Sequence, residues 1–243
     1  MIPKLPPHIL SVFGLAVALT GCGHPVQETA AHKIADALPS LLGPAAHYDV
    51  QVDGDPFALS RGRAHAVHIQ GQTVQLSQAL TLDTLTVDVG DVSFSQETRR
   101  LDHVGRADFT AALSQEHLTA YLAHSKPLLP GLVVALRPDD VQARVPVKFL
   151  GLETTAALSG TFKPDAAEPS KLDFVTDGAQ VGILPLPAGL VNLAVDQLNP
   201  VLSLSGLKAP LSITGVRIVN SQLTLQGTVD LSGLIRRQAG INR

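Results

Sequence analysis

The sequence predicts an α+β fold: a mostly antiparallel β-sheet of repeated hairpins with one or two helices packed on it. Three observations carry this. Apolar and polar residues alternate with period two, as in Tyr48-Asp49-Val50-Gln51-Val52, so each strand turns one face toward a core. Two apolar residues two apart recur, and the next such pair follows five positions on, the spacing of two strands joined by a tight turn. Helical spacing is confined to short stretches near Ala30, Ser114 and Pro187.

The N-terminus comes first. Ile9 to Thr20 is an uncharged, mostly apolar run. It is shorter than the ~20 residues that span a bilayer and fits the ~7–15 residue apolar core of a secretory signal. It ends in Leu19-Thr20-Gly21-Cys22, and Cys22 is the single cysteine of 243 residues. That run resembles the lipobox cut by signal peptidase II, in which the thiol takes diacylglycerol through a thioether. The expectation is a signal peptide over residues 1–21 and a lipid anchor of acyl chains such as palmitate at Cys22. One chain anchors only marginally, whereas two or three hold firmly. An ordinary cleaved signal followed by a stray cysteine is the competing reading. The residue after the cysteine is Gly23, not the Asp that retains lipoproteins at the inner membrane in some bacteria. Which membrane holds the anchor stays open.

No cysteine follows Cys22, so neither a disulfide framework nor a thiolate metal site is available. Loss of residues 1–21 removes one base, Lys4, and lowers the net charge of −3 by one unit. That balance excludes a strong basic footprint for nucleic acid. The chain is 45% hydrophobic but only 4% aromatic, without Trp, so its core is built of Leu, Val, Ile and Ala.

Residues 22–29 read as a tether, 30–235 as one elongated domain and 236–243 as a flexible tail. Ala30 to Leu42 has apolar Ile34, Leu38, Leu41 and Leu42 on one helical face, and Gly43-Pro44 stops it. Asp53-Gly54-Asp55-Pro56 is a turn. The paired pattern then runs through Val67, Ile69, Val74, Leu76; Leu85, Val87, Val92, Phe94; Val134, Leu136, Val141, Ala143; Leu172, Phe174, Ala179, Val181; and Val216, Ile218, Leu223, Leu225. In each set a two-residue loop would put Ile69 opposite Val74, or Ile218 opposite Leu223, on one face. Asn220-Ser221 and Gly71-Gln72 suit turns with positive φ, and Pro138-Asp139 suits a type I turn. Val89-Gly90 fits less well, and Asp177-Gly178 points to a shifted loop. The residues between, His68, Gln75, Thr86, Asp88 and Arg217, are polar and give the sheet a wet face. Leu80–Phe94 and Leu211–Leu225 match at a constant offset, either as an internal repeat or because hairpins resemble one another.

Ser114 is a predicted N-cap for a helix to His124. Pro187 starts another to about Leu198, with Leu190, Val191, Leu193 and Ala194 apolar. Each lies beside an apolar, proline-bearing loop, Pro127-Leu128-Leu129-Pro130 or Leu184-Pro185-Leu186. Pro146 marks an edge or bulged strand, and 164–170 is a polar loop.

No nucleophile elbow, P-loop, HExxH or dinucleotide fingerprint is present, so the chain is expected not to be an enzyme and to use no cofactor or metal. His65 and His68 would point to opposite faces of a strand, and His117 and His124 share a helix face without an evident third ligand; solvated histidines are expected. Arg61-Gly62-Arg63 is a small basic turn, able to touch a head-group phosphate or simply to stand in water.

The order of these elements resembles the LmeA-like family of phospholipid-binding lipoproteins of the bacterial envelope. It consists of the signal, a helix, Tyr48 to Pro56, Arg61-Gly62-Arg63, hairpins, the Ser114 helix, Leu184-Pro185-Leu186-Pro187 with its helix and the last hairpin. The family looks related to the tubular (TULIP, BPI-like) lipid-binding proteins. The resemblance implies a strongly curved antiparallel sheet wrapping a helix and an apolar groove for phospholipid acyl chains, and it brings no catalytic residue. The expected contacts are Ile34, Leu38, Leu85, Val87, Leu128, Leu129, Leu184, Leu186, Leu190, Val216, Ile218 and Leu223. Each of these also suits a filled core. The expected function is a membrane-anchored, non-catalytic phospholipid-binding protein of the cell envelope; whether it only binds lipid or also transfers it stays open. The alternative is an assembly lipoprotein that binds a protein partner through its sheet edges.

Overall fold

The computed structural model describes residues 25–95, 100–138, 140–149, 152–182, 184–207 and 210–231. Cys22, with the signal segment and the C-terminal tail, lies outside them.

Helix α1 (Pro25–Leu41) buries Leu38 and packs Ile34 half-buried against the core. It begins five residues before Ala30 and so takes in residues 25–29, expected as tether. Gly43 ends it at φ +108°, its N–H donating to the Pro39 carbonyl. Strand β1 (His47–Asp53) follows. Asp55 then caps a short helix where only a turn was expected, α2 (Pro56–Ser60), by accepting from the N–H of Phe57 and Ala58.

Strands β2 (Arg63–Gln75) and β3 (Thr81–Ser95) pair along their whole length, Arg63 opposite Ser93 and Gln75 opposite Thr81. The hairpins expected at Gly71-Gln72 and Val89-Gly90 do not form. Ile69 faces Val87 and Val67 faces Val89. Each gap of five instead holds a residue with positive φ, Thr73 at 51° and Asp91 at 49°. At the first, Gln72 and Thr73 both point outward, and the next side chain, Val74, returns to the core. Val67, Ile69 and Val74 are therefore all buried although the strand never turns back.

Strands β4 (Arg100–His103) and β5 (Ala107–Ser114) both pair with β3. Ser114 caps α3 (Gln115–Ser125) as expected, its hydroxyl accepting from the His117 N–H. Then come β6 (Val133–Leu136), β7 (Val141–Phe149), β8 (Leu152–Pro164), β9 (Lys171–Val181), β10 (Leu184–Pro185), α4 (Ala188–Leu198), β11 (Leu202–Ser203), β12 (Leu211–Val219) and β13 (Gln222–Val229). Two expected hairpins form in the expected register. Leu136 faces Val141 across β6–β7, and Ile218 faces Leu223 across β12–β13. Asn220 and Ser221 turn the latter at φ 52° and 58°. The third missing hairpin, Leu172 to Val181, is a single strand with a bulge. Its register with β8 shifts between Ser159 and Gly160, leaving Asp177 as the extra residue. A side chain at Gly160 would strike the Val175 carbonyl oxygen and the Phe174 ring. Leu80–Phe94 lies mainly in one strand and Leu211–Leu225 in a hairpin, so the two segments do not share a fold.

The strands form two open, antiparallel sheets. One runs β1-β2-β3-β5-β13-β12 with β4 beside β3, and the other β10-β9-β8-β7-β6 with β11 beside β9. Helix α3 packs on β3 and β5 of the first and on β6 of the second, with Leu118 and Leu122 wholly buried. Gln115 Oε1 ties the joint by accepting from the Leu136 N–H. One continuous apolar core runs through both sheets. Pro146 lies where β7 has outrun β6, whose pairing ends at Arg144, so that stretch is an edge, as expected.

Candidate functional site

Helix α4 carries Leu190, Leu193, Ala194, Gln197 and Leu198, the i, i+3, i+4, i+7, i+8 positions of one face. Opposite it, β7 offers Ala143, Val145 and Val147 at period two. Strand β8 adds Ala156 and Leu158, in register with Val145 and Ala143. Leu129 and Leu132, from the chain between α3 and β6, close one side. Together these residues line an apolar crevice of about 170 Å³. Three of them are alanines, on three facing elements, and their missing side-chain volume is what leaves the space. Gln197 is the one polar side chain in the lining and none is ionisable. The crevice can take up hydrocarbon, but it holds no nucleophile, acid or base to act on it.

Apolar side chains also stand in solvent at this end of the molecule. Leu190 and Leu193 are 49% and 56% exposed, Leu184 is 57% exposed and Leu128 81%. Asn199 fixes the C-terminal end of α4 to β9, its amide bonding both the N–H and the carbonyl of Phe174. Lys126 Nζ donates to the Asn199 carbonyl, and burial pushes its pKa down against the pull of Asp173.

Of the residues expected to touch lipid, the crevice gathers Leu129 and Leu190. Leu128 and Leu184 are exposed, and Leu186 is half-buried between β10 and α4. Leu38, Leu85, Val87 and Leu223 are buried in the core, while Ile34, Val216 and Ile218 pack half-buried against it. Leu193 and Ala194 were expected as apolar positions of this helix, but neither they nor Gln197 and Leu198 were expected to touch lipid, although their helical spacing from Leu190 puts them on its face. For Ala143, Val145, Ala156 and Leu158 no sequence signal separates crevice from core.

The wet face of the first sheet holds a polar hollow lined by Asp49, Gln51, His68, Gln70, Thr86 and Asp88. His68 Nδ1 lies 2.6 Å from Asp88 Oδ1 and its Nε2 3.4 Å from Asp53 Oδ2. The hydrogen bond to Asp88 raises the His68 pKa above its usual value. His65 stands 3.7 Å from Asp91, directly across the strand pair, and His117 3.1 Å from Asp83. These aspartate partners were not foreseen. No group of three or more His, Cys, Asp or Glu able to hold a metal ion is found among the described residues. No helix among them is long and apolar enough to cross a membrane.

Neither the curated proteins nor the solved structures provide a match to this chain. A family model does, over residues 26–228, which contain every lining residue of the crevice. By that match, which spans most of its length, the chain belongs to the LmeA-like phospholipid-binding family.

Proposed function

We propose that this protein holds a phospholipid by an acyl chain in the crevice between α4 and β7–β8, without chemistry, while tethered to an envelope membrane through acylated Cys22. The observation that carries the reading is the lining itself: eleven apolar side chains and one amide on a cleft open to solvent. The membership in a phospholipid-binding family supports it. The volume limits what is held. Pockets for drug-sized ligands run to about 300–1,000 Å³, so 170 Å³ takes part of one chain unless α4 moves outward. A phospholipid held in part keeps its head group in water. Such a complex suits handing lipid from one bilayer to another, the transfer role we assign to it.

Native mass spectrometry of the purified protein tests the crevice. Bound phospholipid is expected, and Ala194→Phe, which fills the space, should remove most of it while circular dichroism stays unchanged. Equal lipid occupancy in the two proteins refutes the site. The tether has its own test: Cys22→Ser should move the protein from the membrane to the soluble fraction, and unchanged retention refutes acylation at Cys22.

A further inference from the structure

The crevice leaves Arg61-Gly62-Arg63 unused, and its surroundings are not those of a plain solvated turn. Gly62 adopts φ +77°, its carbonyl accepts from the Phe94 N–H at 2.7 Å, and a side chain there would strike the Phe94 carbonyl. The turn is thereby pinned on the end of β3, with Arg61 and Arg63 flanking the contact. Helix α2, immediately before it, presents Phe57. Phe57 is 76% and Phe94 41% exposed, in a chain with seven Phe and no Trp. Both arginines are exposed, and neither has an acidic partner among the described residues. The Asp55 carboxylate nearby is taken up by the N–H groups of Phe57 and Ala58.

A separate contact joins this tip to the start of the chain. Gln27 Nε2 donates to the Gly54 carbonyl at 3.2 Å, one residue before Asp55. Cys22 precedes Gln27 by five residues, a covalent reach of at most roughly 18 Å. An acylated Cys22 would therefore deliver this tip, and not the far end of the sheet, to the bilayer.

We infer that Phe57, Arg61, Arg63 and Phe94 form a docking surface for a lipid bilayer with anionic head groups. The guanidiniums meet phosphates, bidentate and charge-assisted, and the rings enter the boundary between head groups and chains. The chain as a whole carries −3 and the exposed carboxylates of Asp55 and Asp91 lie close by, so the pull on this tip comes from the two guanidiniums in direct contact with phosphates. Charge then sets orientation as well as contact. The inference goes beyond lipid holding; it rests on the proposed tether only for its reach.

The chain has no Trp, so an introduced one reports alone. Full-length protein with Phe57→Trp is compared with Val219→Trp, which lies by the β12–β13 turn at the other end of the sheet. Each is bound to vesicles of phosphatidylcholine with phosphatidylglycerol, brominated on the acyl chains as quencher. The Trp at 57 is expected to shift to the blue and to be quenched, and the one at 219 to be unaffected. Arg61→Gln with Arg63→Gln should lower the docked-to-free ratio roughly 30-fold, and vesicles without phosphatidylglycerol should act likewise. Flotation of the same samples separates the readings. Flotation with both positions equally quenched or equally unquenched, or quenching at 57 indifferent to charge, overturns the docking surface alone. Flotation unchanged by Cys22→Ser, with position 57 quenched, overturns the tether alone. No flotation of either protein overturns both.

Discussion

Asp83 sits on β3 and is held by the start of α3, thirty-one residues later: its carboxylate accepts from the Ser114 N–H and pairs with His117. Burial disfavours its charged form, but these bonds outweigh burial and set its pKa below the usual carboxylate value. Its contribution to stability is therefore full above the unfolded value, about 3.9, and is lost as pH falls through the lower folded one. His68 behaves oppositely. Its pKa is raised, so the stability it adds is full below about 6.5 and is lost as pH rises through the folded value. In denaturant titrations from pH 2 to 9, Asp83→Asn should flatten the acid limb and His68→Asn the limb above neutrality. A variant with the wild-type slope in its own window refutes that assignment. Neither pair was legible in the sequence. Periodicity tells which way His68 faces, but its partner, twenty residues on, depends on the register of β2 against β3.

Register is decided between elements, and there the sequence proved readable in part. The same gap of five apolar spacings is a hairpin at Asn220-Ser221 but a kink or bulge in a continuing strand at Thr73, Asp91 and Asp177. Both solutions return apolar side chains such as Val74, Val181 and Leu223 to one face, which is why their burial was foreseen and the turns were not; Phe94, expected on that face, is exposed instead. Helices α3 and α4 were legible because Ser114 and Pro187 mark their starts. Helix α4 itself divides into two halves by depth. Leu198 is buried at 2%, whereas Leu193 is 56% exposed at the crevice. Leu198→Ala should cost about 2–5 kcal/mol in urea unfolding. Leu193→Ala should stay within ~0.5 kcal/mol yet weaken lipid uptake. Equal effects on stability would show that the helix packs as one uniform core element.

At the scale of the whole molecule, α3 and the contact of β12 with β8 join two open sheets around one core. Residues from β7, β8, α4 and the chain after α3 meet only through that assembly, so the crevice could not be read from any single segment. A ligand bound there clamps α4 to the second sheet and stabilises the folded state by mass action. Phospholipid at a hundred times its Kd should add about 2.7 kcal/mol, seen as a rise in the thermal midpoint that Ala194→Phe abolishes. A rise that persists in Ala194→Phe would place the lipid elsewhere, and no rise in the unaltered protein would show that the folded state does not bind it.

Pro146 has a bearing on this at the crevice wall. Val145 and Val147 line the cleft while the strand between them has lost its neighbour β6. An apolar strand with an open edge invites a second chain to add to it. The proline withholds one N–H from that edge. Copies crowded together can thus keep the cleft open for hydrocarbon without zipping together into fibres.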